Sequence, residues 1–352
     1  MDDQTHLPPH ITGPVAWTGK DMTAEPERWT YHLGDADVAD IEAAATAFIE
    51  GGQPLGLISK DSFPLGAFGN WLEELCENLI RGIGFQLIKG LPVETYSSQM
   101  RATIFCGIGS HLGVARSQNA AGHLLGHVRD IGADVNDPNA RIYQTTSRQS
   151  FHTDSCDVVG LLCIREAMSG GDSMLASSVT AYNEILSRRP DLIPHLFLPV
   201  ATDRRGEVPE NEDPFFTIPV YNWHAHFLTC IYQRNYIESA RRFETAPELS
   251  AQQIEALDLL DEIVNEHDMH LRMRLQPGDM QFVYNHSLLH DRTGFTDWPD
   301  PDQRRHLLRL WLAVPGDRPL PSVFAQRYGS VEIGNRGGVI TEETVLHAPV
   351  DD

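Results

Sequence analysis

The spacing of apolar positions changes near residue 113. Upstream it is helical. Residues 35–50 (DADVADIEAAATAFIE) run from an Asp-rich start to a stop at Gly51-Gly52, residues 69–81 carry apolar side chains at 72, 75, 76, 79 and 80, and residues 96–112 extend the pattern. These spacings predict three scaffold helices with no chemistry on them. Between the second and third, Phe85-Gln86-Leu87-Ile88 predicts a buried strand closed by Gly90-Leu91-Pro92. Residues 1–34, rich in Pro, Gly and Thr, predict an irregular arm pinned by Trp17 and Trp29, since exposed indoles are costly.

Downstream the runs shorten and turns multiply. Residues 158–165 (VVGLLCIR) are continuously apolar and predict a strand buried on both faces. The turn Ser169-Gly170-Gly171-Asp172 is expected to fold it back onto a return strand at 173–176. Helices follow at 179–187 and 190–197, then a polar, mostly acidic, mobile loop (ATDRRGEVPENEDPF). Strands at 215–221 and 228–232 meet across Asn222-Trp223-His224-Ala225-His226, and residues 251–267 form a long amphipathic helix. A hairpin is expected from 269–275 and 280–284 over Pro277-Gly278-Asp279, a closing strand at 305–314, and a tail without a core pattern after Pro315. Together these elements predict a mainly β fold with flanking helices around a double-stranded β-helix. Such a jelly-roll or cupin-like barrel closes its edges and leaves an open mouth for a metal. No linker, repeat or low-complexity segment divides the chain. The division is therefore an arm and helical scaffold (1–112), a core with helical insertions (113–320) and a tail (321–352), one catalytic domain overall.

The candidate chemistry centres on Ser150-Phe151-His152-Thr153-Asp154-Ser155. At a strand end, positions i and i+2 project together, so His152 and Asp154 can hold one metal. Taken alone, the pair also suits a surface turn whose Asp accepts backbone N–H groups. Far downstream, His290 offers a second imidazole just after the strand at 280–284. Two imidazoles and a carboxylate with open positions form the facial set of non-haem Fe(II) oxygenases. Such an iron needs an electron-donating cosubstrate. Arg305 and Arg309, four apart on a strand, put two guanidinium groups on one face, suited to bidentate capture of a carboxylate. Gln118, Asn119 and Tyr143, on the polar segment before the ligand pair, are candidate substrate-binding residues. His123, His127, His224 and His226 lack an acidic third ligand or sit at a turn, and are expected to be local packing.

At these residues the chain resembles the taurine dioxygenase-like (TauD/TfdA) family of Fe(II)/2-oxoglutarate oxygenases. The matching features are His152-Thr153-Asp154, Gly170-Gly171-Asp172-Ser173, Asn285 followed five residues on by His290, and Arg305-x-x-x-Arg309. The resemblance extends at lower specificity from about Gly113 to Leu312. It implies that His152, Asp154 and His290 bind iron, and that Ser173 and Arg305 bind the distal carboxylate of 2-oxoglutarate. Arg309 would serve the cosubstrate or an anionic group of the substrate. The cofactors implied are Fe(II), 2-oxoglutarate and O2, and the reaction is oxidation, by default hydroxylation, of a C–H bond of a small anionic or amino-acid-like molecule, releasing succinate and CO2. Ser173 stands where Thr is usual, and His286 where taurine dioxygenase has Arg.

Composition narrows the setting. With 49 acidic and 27 basic residues the formal charge is −22, which repels phosphate backbones and anionic membranes and argues against nucleic-acid partners. No 18-residue apolar run or secretory leader pattern is present, and five scattered cysteines suit a reducing compartment, so the expected location is cytoplasmic. The expected partner is a small-molecule substrate, with self-association into a homo-oligomer left open. Two alternatives remain: a zinc hydrolase using His286-x-x-x-His290, which lacks a Glu beside His286 to act as base, and a non-catalytic ligand-binding barrel.

Overall fold

The computed structural model describes residues 7–134, 137 and 139–351. Eleven core strands carry the architecture: β1 (Thr30–His32), β2 (Phe85–Lys89), β3 (Val114–Ala115), β4 (Leu125–Val128), β5 (Gln149–His152), β6 (Val158–Arg165), β7 (Ser173–Ser177), β8 (His270–Met273), β9 (Met280–Tyr284), β10 (Leu288–Arg292) and β11 (His306–Ala313). The larger sheet has seven strands in the order β1-β2-β9-β6-β11-β3, with β4 also paired to β11. The smaller has four, in the order β8-β7-β10-β5. From β5 onward the chain passes repeatedly between the sheets, which is the winding of a double-stranded β-helix.

Strand alternation assigns each face. Along β11, Leu307 and Trp311 point between the sheets, where they meet Leu175, Leu271 and Leu288 of the smaller sheet. Leu308, Leu310 and Leu312 point the other way, onto the scaffold helices α1 (Asp35–Glu50), α2 (Ala67–Arg81) and α3 (Ser98–Leu112). The outer face of the smaller sheet packs Phe151, Met174 and Leu289 under α4 (Ser178–Arg188) and α5 (Ala251–Asn265). Both faces of both sheets are covered, so β6 is as apolar as its sequence demands. Helices α3 and α4 begin at side-chain caps, with Ser97 accepting from Met100 N at 3.2 Å and Ser177 from Thr180 N at 3.0 Å.

Several expectations change. No ladder joins the two sheets among the described residues, so the core is a pair of open facing sheets and not a closed barrel. The expected hairpin over Pro277-Gly278-Asp279 does not form, because β8 pairs with β7 while β9 lies between β2 and β6 in the other sheet. Gly278 makes that crossing at φ +89, and a Cβ there would stand 2.0 Å from the Leu91 carbonyl oxygen. Likewise Gly170-Gly171 carries the chain from β6 to the opposite sheet, where β7 pairs with β8 and β10. The loop expected after residue 200 is shorter. Pro199–Asp203 is a strand paired with Phe215–Pro219, and Arg204 and Arg205 beyond it are buried. The arm is pinned as expected: Trp17 Nε1 donates to the Ile83 carbonyl at 2.8 Å, and β1 adds a parallel edge strand to β2.

The tail is the largest departure. Phe324, Tyr328 and Val339 are buried, and the Arg336 side chain is 0 % exposed. Arg336 donates to Asp157 Oδ1 and to Asp317 Oδ2, each at 2.8 Å, and to the Arg318 carbonyl at 2.9 Å. Asp157 also takes the Val314 N–H at 2.9 Å and lies 2.8 Å from His286 Nε2. A periodicity search misses such a segment because its burial is polar and irregular. Removing one partner of a buried charge set leaves the others uncompensated, at a cost of about 3–5 kcal/mol. Arg336→Met is therefore expected to lose that much in urea denaturation, whereas Arg188→Met, at an exposed pair with Glu184, should stay within about 1 kcal/mol of the parent protein. Equal losses from the two variants would contradict the assignment.

Candidate metal centre

The site lies between the sheets, at the end where β5 and β10 run side by side. His152 and His290 are directly opposed in the antiparallel register of these strands. Their rings stand 4.1 Å apart at 51°. Asp154 follows two residues beyond the end of β5. Its Oδ1 is 3.9 Å from His152 Nε2 and its Oδ2 is 3.7 Å from His290 Nε2. One ligand atom from each residue lies within 4.8 Å of the others. Donors about 2.1 Å from one ion stand about 3 Å apart at right angles and about 4.2 Å apart when opposite. The separations fall close to that range, so the three side chains fit a single ion with small adjustments.

The surroundings prepare each donor. His152 Nδ1 lies 2.8 Å from the Ser150 carbonyl, a partner that fixes the proton on that nitrogen. The Gln149 carboxamide nitrogen sits 2.8 Å from Nε2, which therefore presents a lone pair. Burial, and then the neighbouring His290, push the His152 imidazole down to about 3, keeping it in the neutral form a ligand needs. Burial alone would raise the Asp154 carboxyl, but Arg309 and the two imidazoles override it and hold it well below the usual range. Trp311 Nε1 donates to Asp154 Oδ2 at 2.8 Å and Arg309 Nη1 approaches the same oxygen at 3.6 Å, which leaves Oδ1 available to an ion. The Asp154 N–H donates to Asn285 Oδ1 at 3.0 Å, tying the ligand loop to the residue after β9.

A cavity opens from these donors between the sheets. Val159, Leu161, Leu275 and Leu307 give it an apolar wall, and Ser173, Arg292, Arg305 and Arg309 line it with polar groups. Arg305 is buried, and its Nη1 has no hydrogen-bond partner among the described residues. Its guanidinium lies over the Phe295 ring, and burial pushes it down to about 10. Arg292 is pushed down to about 9, by burial and then by Arg305. An orphaned buried guanidinium beside a second cation is a site for an anion. Gly171 permits the approach: at φ +75, a Cβ would stand 3.0 Å from Arg305 Nε. Ser173 Oγ currently donates to Gln281 Oε1 at 3.0 Å.

The structure thus brings His152, Asp154, His290, Ser173, Arg305, Arg309 and Tyr143 to one cavity. It does not bring Gln118 or Asn119 there. Gln118 is buried behind Arg309, accepting from its Nε at 2.7 Å and donating to its carbonyl at 2.8 Å. Asn119 accepts from the His123 N–H at 3.2 Å as part of a local turn. Polar loop composition signalled both residues but not the direction of their side chains. His286 and His290 are also separated. They belong to a turn and a strand, not a helix, and His286 Nε2 faces Asp157, which removes the basis for the zinc pair. Gln149, Arg292 and Trp311 escaped the sequence reading, although Trp311 is two residues from Arg309 and alternation alone puts both on one face.

Comparison with known proteins places the whole chain rather than single residues. Residues 51–311 match the family described as taurine catabolism dioxygenase TauD, TfdA. The chain is 32% identical over 326 residues to FR-33289 synthase of Streptomyces rubellomurinus, covering 91% of this chain and 95% of that protein. It is 34% identical over 321 residues to taurine hydroxylase-like protein SAT17 of Stachybotrys chartarum, covering 86% and 81%. Among solved structures, an asparagine oxygenase in complex with Fe(II), 3-hydroxyasparagine and succinate superposes with a TM-score of 0.63 at 17% identity, covering 81% of this chain and 93% of that one.

Trp311 provides a test of how the carboxylate is held. A hydrogen bond to a charged group contributes about 1.5–3 kcal/mol, and groups that orient ligands typically change metal affinity about 10–100-fold. Trp311→Phe keeps most of the volume and should weaken Fe(II) binding at least about tenfold. Unchanged affinity by anaerobic titration would contradict the role of the indole.

Proposed function

Because this chain belongs to the taurine catabolism dioxygenase TauD, TfdA family, and is an Fe(II)/2-oxoglutarate-dependent dioxygenase, we propose that His152, Asp154 and His290 hold its iron while Arg305 and Ser173 hold the far carboxylate of 2-oxoglutarate. The observation that carries this reading is the orphaned Arg305 nitrogen, facing the same cavity as the three metal donors. A buried cation without a partner costs free energy that a ligand carboxylate recovers.

When bound, iron with 2-oxoglutarate and O2 supplies the oxidising power, yielding succinate, CO2 and an oxidised, by default hydroxylated, substrate. The residues do the rest. The Ser150 carbonyl and the Gln149 amide keep His152 Nε2 aimed and unprotonated. Trp311 and Arg309 hold one oxygen of Asp154, so the other would be the one offered to the iron. The wall of Val159, Leu161, Leu275 and Leu307 excludes water along the cosubstrate, which strengthens every charge interaction inside. Arg309 lies over the Tyr143 ring at 4.5 Å and the Trp311 ring at 5.1 Å, and its terminal nitrogens make no hydrogen bond with described residues. It steadies Asp154 from one side and offers its remaining donors to a carboxylate, either that of the substrate or the one nearest the iron.

The substrate is a small anionic or amino-acid-like molecule. Arg292 and Arg309 give the cavity more positive charge than one cosubstrate carboxylate needs, and the asparagine oxygenase that shares this fold was solved with a hydroxylated amino acid. Among the described residues no helix is long and apolar enough to cross a membrane.

Arg305→Leu is expected to weaken 2-oxoglutarate binding by tens- to thousands-fold, from loss of about 2–5 kcal/mol in a charge-assisted, partly desolvated contact. Ser173→Ala should shift the constant in the same direction by less, since it removes one neutral donor. An unchanged 2-oxoglutarate constant in Arg305→Leu, measured as succinate release against cosubstrate concentration, would overturn the assignment.

A further inference from the structure

We infer that the outer face of the larger sheet carries a second, separate binding site, an anion pocket formed by Ser98, Arg101 and Arg165 at the start of α3, which takes a phosphate group. The same alternation that turns Arg305 and Leu307 toward the iron cavity turns His306 away from it, beneath the scaffold helices. There, His306 joins Ser98, Arg101, His127, Arg165 and Asp351 around a cavity of about 180 Å³. At roughly 30 Å³ per water, that is room for a phosphate group and a few waters.

Charge pairing leaves this cavity positive. The chain has 49 acidic and 27 basic residues, and several of its surface arginines are neutralised by carboxylates. Arg188 and Arg189 each grip two, and Arg234 grips three. Arg101 and Arg165 form no ion pair with any described residue. Arg101 Nε donates to the Val93 carbonyl at 2.8 Å and Arg165 Nε to the Arg304 carbonyl at 3.0 Å, contacts that aim both groups without neutralising them. Arg165 Nη2 lies 3.5 Å from His306 Nδ1, and His306 Nε2 lies 2.9 Å from His127 Nδ1. His127 is anchored in turn to the Pro349 carbonyl at 3.1 Å. Burial pushes His306 down to about 3, helped by His127, Arg165, Arg129 and Arg101, so the pocket holds its fixed charge on arginine. Arg129 borders the cavity but is already engaged and is not needed here. Among the described residues, Asp351 is the one carboxylate in the lining.

The donors come from different elements, Arg101 and Ser98 from α3 and Arg165 from β6, while His306 of β11 accepts from Arg165 and helps to aim it. A tetrahedral anion offers oxygens in several directions and can meet them together, whereas a planar carboxylate offers two. The first turn of α3 adds the positive end of a helix dipole on the same side.

The test uses the full chain loaded with Fe(II) under anaerobic conditions and saturated with 2-oxoglutarate, so that the Arg305 site is filled. Inorganic phosphate is titrated calorimetrically at constant ionic strength, with glycerol phosphate as a second probe. The expected result is one saturable site per chain, at least tenfold weaker in the double variant Arg101→Met, Arg165→Met. Ser98→Asp gives the same reading without touching either arginine: an acidic residue suits the first turn of a helix, yet its charge repels phosphate. Tighter binding of the ester would assign the pocket to a phosphorylated metabolite, and equal or weaker binding would assign it to the free ion. Either supports the site. Absence of saturable binding, or equal binding by the parent protein and Ser98→Asp, would overturn it.

Discussion

The direct opposition of His152 and His290 across two antiparallel strands is the constraint on which the rest of the site depends. Register in a sheet is all or nothing, because a slip of one residue would turn one imidazole to the opposite face. That face is fixed by Phe151 and Leu289, which alternate with the two histidines and are buried under α4 and α5. Packing on the outside of the smaller sheet therefore holds the donors on its inside. Asp154 needs more help, since it lies beyond the strand. It is held by Trp311 from the facing sheet and by Asn285 from the loop after β9.

Behind that loop lies the buried polar set of Asp157, His286, Asp317 and Arg336. It shares the segment after Asp154 with the metal donors, and the tail reinforces it: Arg327 Nε donates to Ser155 Oγ and the Gly338 N–H to the Ser155 carbonyl, each at 2.7 Å. Asp157, His286 and Asp317 could by themselves cradle a metal, but the Arg336 guanidinium already supplies the positive charge there. The fold thus holds two groups of His and Asp with different fates. In one a tail arginine supplies the cation, and the other opens into a cavity suited to receive one.

Much of this was legible in the sequence where spacing translates directly into geometry. His152-x-Asp154 reads as two groups projecting together at a strand end and Arg305-x-x-x-Arg309 as two groups on one face of a strand entered at residue 306, and the scaffold helices follow from apolar spacing and their stop signals. Sheet membership was not legible. Glycine turns at 170–171 and 278 look like hairpin signals, and only the distant pairings of β7 and β9 reveal that the chain changes sheets there. The tail was missed because polar burial leaves no hydrophobic pattern. Gln118 was misplaced because composition marks a polar side chain without saying whether it faces a ligand or another residue.

The central claim is that one iron and one 2-oxoglutarate meet at His152, Asp154 and His290. It is tested most directly by the charge-transfer absorption that a chelated keto acid gives Fe(II), followed in an anaerobic titration. The protein should develop the band with one iron and one 2-oxoglutarate per chain, His290→Ala should lose it, and His286→Ala, altered in the arginine-filled cluster, should retain it. A band that survives in His290→Ala and vanishes in His286→Ala would place the iron elsewhere and contradict the account.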